Sequence, residues 1–147
     1  MGIKSISPQE AHDRTAQAEG AIYLDVRTVE EFAQGHPAKA YNVPLLHRHP
    51  SGQMVPNADF VAVVRANFPA EARLLVGCLS GNRSLRAAEI LEAAGYTQVV
   101  NVRCGFGGAR DAAGRIVEPG WAALGLPVER EPGPGASYEA LQGKVHP

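Results

Sequence analysis

Residues 73–84 constrain this chain more than any other stretch. Arg73-Leu74-Leu75-Val76 is a short apolar run of strand character; Gly77 and Cys78 follow, and four loop residues, Leu79, Ser80, Gly81 and Asn82, lead to Arg83. A helical pattern begins at once with Ser84-Leu85-Arg86-Ala87-Ala88-Glu89-Ile90-Leu91. Cys78 is therefore expected at a helix N-terminus, where unpaired amides and the positive end of the helix dipole favour a thiolate and can hold an anion. A buried structural thiol is the commoner fate of a cysteine. It gives no reason for a loop that ends in arginine at a strand-to-helix junction, so Cys78 is read as a nucleophile.

The loop residues follow from the same logic. Gly81 lets the backbone curl its N–H groups inward, and Leu79, Ser80 and Asn82 then offer backbone donors, with the Ser80 hydroxyl as one more. Arg83 is expected to brace the loop or to favour anions, since its guanidinium fork can hold several carbonyl or oxyanion acceptors. Ser84 serves as helix cap, as substrate donor, or as both.

The spacing narrows the chemistry. Cys78 to Arg83 spans six residues, one fewer than the Cys-x-x-x-x-x-Arg cradle with which cysteine-dependent phosphatases wrap a phosphate group. The tighter loop suits a sulfur atom attacked end on. Here the chain resembles the rhodanese family, the thiosulfate sulfurtransferases, and the likeness extends beyond the loop. Leu24-Asp25-Val26-Arg27, Glu30-Glu31-Phe32, Gly35-His36 and Asn42-Val43-Pro44 are similar to the family's amino-terminal signature. Gly107-Gly108, Trp121 and Gly125-Leu126-Pro127-Val128 are similar to its carboxy-terminal one.

The resemblance covers residues 5–129 and implies a single rhodanese-like α/β domain, a parallel sheet with helices on both faces. It places Asp25 and Arg27 near the reactive loop, where a structural ion pair is preferred to a direct catalytic role. The implied activity is transfer of a sulfane sulfur from a small sulfur-containing anion, thiosulfate or a similar donor. Cys78 carries the sulfur as a persulfide to cyanide, a thiol or a protein acceptor, without metal or organic cofactor. Two alternatives stand beside it: a non-catalytic protein-binding module on the same fold, and a phosphatase or arsenate reductase. The intact cysteine loop speaks against the first. The short loop and the lack of an evident acid for a leaving oxygen speak against the second.

Composition excludes other classes. The chain of 147 residues, 45% hydrophobic, has room for one domain with a real core. Its 14 basic and 15 acidic residues offer no global attraction to nucleic acid or to an anionic membrane. No apolar run approaches the ~20 residues of a transmembrane helix, and residues 1–20 lack the apolar centre of a signal peptide, so a cytoplasmic location is expected. Two cysteines are too few for a disulfide scaffold or a closed zinc site.

Along the chain, strands and helices alternate. Ser7-Pro8-Gln9-Glu10 predicts a capped helix with Glu10 closing a capping box. Residues 21–26 read as a buried strand, 28–34 as a short helix ending at Gly35, and 57–68 as a helix with Phe60, Val61, Val63, Val64 and Phe68 on its buried face. Residues 74–76, 84–94 and 98–102 predict strand, helix and strand. The domain is taken as 1–129, with a loop insertion at 109–120, and 130–147 as a tail, either disordered or strapped to the surface. His36 is read as a structural histidine. His47-Arg48-His49 is read as a solvated loop rather than a metal site, because no carboxylate or cysteine lies close in sequence. Cys104 is expected on the same sheet edge as Cys78, and an ordinary cysteine is preferred there to a resolving one.

Overall fold

The computed structural model describes residues 2–16 and 20–145. Met1, residues 17–19 and residues 146–147, which belong to the amino-terminal segment and the tail read above, lie outside the described part. In chain order the elements are β1 (Lys4–Ile6), α1 (Pro8–Ala16), β2 (Ile22–Asp25), α2 (Val29–Gln34), β3 (His36–Pro37), β4 (Tyr41–Asn42), β5 (Leu46–Arg48) and β6 (Met54–Pro56). There follow α3 (Phe60–Asn67), β7 (Arg73–Gly77), α4 (Asn82–Ala93), β8 (Gln98–Val102), β9 (Ala109–Arg110), β10 (Ile116–Glu118), β11 (Val128–Glu129) and α5 (Tyr138–Gln142).

Five strands form the central sheet in the order β1-β8-β7-β2-β4, and every neighbouring pair runs parallel. Because side chains alternate along a strand, β2 and β7 feed two separate cores. Leu24, Leu74 and Val76 join Phe60, Val63 and Val64 of α3 and Ala87, Ala88 and Leu91 of α4 on one face. Tyr23 and Leu75 join Ala11 of α1, Phe32 of α2 and Trp121 on the other. The expected architecture is present: a parallel sheet with helices on both faces.

Two local features depart from the sequence reading. The edge strand β1 was not expected; Lys4-Ser5-Ile6 has little apolar signal, and its strand exists because it pairs with Val100, Asn101 and Val102 of β8. At α1 the Ser7 hydroxyl does accept from the Glu10 amide at 3.1 Å, but the Glu10 carboxylate pairs with Arg14 at 2.8 Å instead of returning to the cap. The complete capping box is at α2, where Thr28 and Glu31 satisfy each other's backbone amides.

Residues 109–118 form the β9–β10 hairpin. In the tail, Tyr138 and Leu141 of α5 are buried in the first core, and the Tyr138 hydroxyl accepts from Asn57 Nδ2 at 3.2 Å. That contact gives the two apolar residues of an otherwise aperiodic segment their physical purpose. Among the described residues no helix is long and apolar enough to cross a membrane.

Candidate active site

The reactive segment sits where the topology is most favourable for a ligand, beyond the carboxyl ends of central parallel strands. Strand β7 lies between β2 and β8, with its last residue, Gly77, opposite Asp25 of β2 and the preceding Val76 opposite Asn101 of β8. The chain then turns through Cys78 into α4, which begins at Asn82, two residues earlier than the sequence suggested. Gly81 is the N-cap, with φ +105, a conformation that glycine adopts without strain.

Cys78 lies at the floor of the loop, only 2% exposed. Its Sγ accepts from two backbone amides, Gly81 N at 3.1 Å and Ser84 N at 3.3 Å, and stands 3.3 Å from Ser84 Oγ. The amides that reach the sulfur are thus those of Gly81 and Ser84. Leu79, Ser80 and Asn82 face outward and are exposed. Ser84 is itself completely buried, and its hydroxyl lies 3.2 Å from Gly81 O and 2.5 Å from Asn101 Oδ1 on β8. Asn101 in turn donates through Nδ2 to Ser5 Oγ at 3.3 Å. A polar chain therefore runs from the thiol to the edge strand, and sequence spacing gave no sign of it.

Arg83 departs from expectation. Its terminal nitrogens donate to the two carboxylate oxygens of Glu31 at 2.7 and 2.9 Å rather than to loop carbonyls. Arg83 does brace the loop, but by tying it to the start of α2. Burial alone would raise the Glu31 carboxyl, yet hydrogen bonds from Arg83 and from Thr28 outweigh it and hold the group at about 2. Thr28-x-x-Glu31 was the available signal, a capping pattern whose acid serves twice.

This pair makes stability depend on pH. Because the folded carboxyl is depressed below its ordinary 4.5, its contribution is present above that value and is lost as pH falls towards 2. The melting-temperature difference between wild type and Glu31→Gln is expected to be constant from about pH 7 to 5 and to shrink below about 4.5. A difference unchanged down to pH 2 refutes the linkage.

Asp25 and Arg27 form a buried ion pair, with Arg27 Nη2 2.8 Å and Nε 3.0 Å from the carboxylate. Burial pulls the guanidinium down, and Asp25 more than reverses this, so Arg27 ends above its ordinary value. Arg27 also donates to Gly35 O at 2.7 Å and lies 4.5 Å over the ring of Phe106. Phe106 completes the link to the reactive loop: its amide donates to Cys78 O at 2.7 Å, and the next amide, Gly107 N, to Leu79 O at 2.7 Å. The pair thus supports the loop through Phe106, while the hydrogen bonds of Cys78 Sγ go to Gly81 and Ser84. Asn42 locks the turn between them by donating to Asp25 O and Arg27 O, both at 3.0 Å.

Glycine 105 is a requirement visible only in space. Its Cα faces the Cys78 carbonyl so closely that a side chain there would collide with the oxygen and come within 2.7 Å of the carbonyl carbon.

Cys104 is buried and free, at φ +70. Burial, a hydrogen bond with Glu118 and that residue's charge push its thiol up to about 11, the opposite of what a resolving nucleophile needs. His36 donates through Nδ1 to Phe32 O at 2.8 Å and stacks on the Phe32 ring at 3.6 Å. His49 bonds to Ser51 and His47 tilts against Tyr138. Among the described residues there is no group of three or more His, Cys, Asp or Glu placed to hold a metal ion.

The sequence profile of the Rhodanese-like domain matches residues 7–112. The chain is 40% identical over 125 residues to Thiosulfate sulfurtransferase 16, chloroplastic, of Arabidopsis thaliana, covering 85% of this chain and 92% of that protein. It is 45% identical over 91 residues to Senescence-associated protein DIN1 of Raphanus sativus, spanning 62% of this chain and about half, 49%, of that one. The crystal structure of Rv0390 from M. tuberculosis superposes with a TM-score of 0.73 at 31% identity, over 89% of this chain and 100% of the other. Since the profile reaches across both the amino-terminal signature and the reactive loop, and the likeness in fold extends over most of the chain, this protein belongs to the rhodanese-like domain family.

Proposed function

We propose that the chain is a sulfurtransferase in which Cys78 carries the sulfur. The observation behind this reading is the pair of inward amides, Gly81 N and Ser84 N, that donate to Cys78 Sγ at the start of α4. Such donors favour a negatively charged sulfur, first as thiolate and then as persulfide. The thiolate attacks the outer sulfur of the donor; the donor's S–S bond breaks, and its electron pair leaves with sulfite when thiosulfate is the donor. Cyanide or a thiol then removes the outer sulfur from Cys78 and restores the thiolate, giving two half-reactions and ping-pong kinetics. No proton need be delivered to the leaving group. The depth of Cys78 supports the same reading, because a terminal sulfur reaches the floor of a tight loop more readily than a bulky phosphoryl centre. The Arabidopsis thaliana relative, a thiosulfate sulfurtransferase by name, agrees with it.

Mass spectrometry of the protein after thiosulfate treatment tests the proposal. One added sulfur is expected on the Cys78 peptide, removed again by cyanide with formation of thiocyanate. An unmodified peptide under single-turnover conditions refutes it and leaves the protein-binding module as the better account.

Ser84 is expected to contribute through its hydroxyl. Replacing it with alanine keeps the Ser84 amide donor and removes the hydroxyl that links Cys78 Sγ at 3.3 Å to Asn101 Oδ1 at 2.5 Å; loss of an ordinary hydrogen bond, about 0.5–1.5 kcal/mol, should lower kcat/KM about two- to tenfold. Unchanged kinetics in Ser84→Ala would show that the hydroxyl serves only α4 and Asn101.

A further inference from the structure

Building on the sulfurtransferase reading, we infer that Asn101 is a positioning residue for the second half-reaction: through the Ser84 hydroxyl it makes Cys78 Sγ a better leaving group when the persulfide gives up its outer sulfur. The strand register puts Asn101 in place. On β8 it lies opposite both Val76 of β7 and Ser5 of β1, so its side chain projects to the face of the sheet that α4 covers. There Asn101 Oδ1 meets Ser84 Oγ at 2.5 Å and Nδ2 meets Ser5 Oγ at 3.3 Å, while Ser84 Oγ stands 3.3 Å from Cys78 Sγ. Asn101 and Ser84 are both buried, whereas Ser5 is exposed. This chain of four groups starts at the buried sulfur and ends at the surface.

An amide carries an acceptor and a donor side by side, so the chain has two complete arrangements. In one, the Cys78 thiol donates to Ser84 Oγ, the Ser84 hydroxyl to Asn101 Oδ1, and Asn101 Nδ2 to Ser5 Oγ. Turning the amide over reverses every bond: the Ser5 hydroxyl donates to Oδ1, Nδ2 donates to Ser84 Oγ, and the Ser84 hydroxyl donates to the sulfur. Each arrangement matches every donor with an acceptor on the same heavy-atom positions. The first suits a thiol and the second an anionic sulfur. Without the amide, the Ser84 hydroxyl is left with Gly81 O at 3.2 Å, which only accepts and so turns its hydrogen away from Cys78.

The two half-reactions feel this differently. In loading, Cys78 Sγ is the nucleophile and gives up its charge; a hydroxyl that donates to it raises the thiolate population but lowers its nucleophilicity, and the two effects oppose each other. In discharge, cyanide attacks the outer sulfur, the S–S bond breaks, its electron pair returns to Cys78 Sγ and thiocyanate departs. Negative charge then builds on Sγ, where the hydroxyl is a third donor beside the Gly81 and Ser84 amides, and a stabilised thiolate leaves faster.

The test times the half-reactions separately in wild type, Asn101→Leu, Ser84→Ala and the double variant: sulfur added to Cys78 by thiosulfate, and thiocyanate released when cyanide meets the loaded protein. Leucine has the branching of asparagine without its polar atoms. Both rates are taken per loaded Cys78, so a partly unfolded sample does not distort them, and Asn101→Thr, which suits a strand and is too short to join both serines, is run beside it. Discharge is expected to slow about fivefold in each single variant at position 101 and in Ser84→Ala, with no further loss in the double variant, while loading changes by less than about twofold. Discharge unchanged at position 101, an equal loss in both half-reactions, or losses that multiply in the double variant overturns the role of Asn101 alone. Wild-type protein that takes no sulfur on Cys78 overturns the sulfurtransferase reading and this inference with it.

Discussion

Cys78→Ser is expected to lose sulfur transfer by at least about a thousandfold while melting close to the wild-type temperature. The hydroxyl fits the same buried position and can keep the two amide donors, Gly81 N and Ser84 N. What it lacks is a low-energy anion and the ability to carry a second sulfur. The measurements are thiocyanate formation from thiosulfate and cyanide, and the mass of the peptide containing residue 78 after donor treatment. Turnover within tenfold of wild type, or an added sulfur elsewhere in the chain, would move the chemistry away from Cys78. Cys104, the second thiol, is the natural place to look in that event, and its raised thiol argues that nothing will be found there.

Gly105→Ala is expected to be the most damaging single-methyl change at the site. The new carbon would collide with the Cys78 carbonyl oxygen and reach within 3.0 Å of the Leu79 carbonyl carbon. Both are backbone atoms, so no side chain can swing aside. The same carbonyls accept the Phe106 and Gly107 amides at 2.7 Å, and Gly105 O accepts the Trp121 amide at 2.9 Å. Relieving the clash therefore pulls at the reactive loop and at the packing of Trp121 together. A loss of about 3 kcal/mol or more in unfolding free energy is expected, with at least a tenfold loss of turnover in the protein that remains folded. Gly114→Ala is the control. It also has positive φ, +83, but nothing within 4 Å, so only the backbone term of about 1 kcal/mol applies. Equal stability of the two variants would show that the loop yields where the geometry says it cannot.

Glu31 and Arg83 show where reading by spacing stops. The arginine's position at the end of the loop was evident, and loop carbonyls or an anion were the natural partners. The partner is instead a carboxylate 52 residues earlier. Which acid lies opposite a given arginine depends on where β2 delivers α2 relative to β7, and that distance has no sequence counterpart. Asn101 is similar: its residue type suits a β8 interior position poorly until Ser84 and Ser5 are seen on either side of it.

What the sequence by itself determined was everything carried by neighbouring residues. The alternation of apolar strands with 3.6-periodic helices specifies a parallel α/β sheet, because each element's buried face is written in its own period. The strand, cysteine, glycine-containing loop and helix are contiguous, so the position of Cys78 between the carboxyl end of a strand and the start of a helix follows from local order alone. Only the tertiary structure decided which charges meet, which strand seals the edge and which glycine has no room for a side chain. Those are short-range forces between segments far apart in the chain, and they act over ångströms that only the packed sheet and its two layers of helices can set.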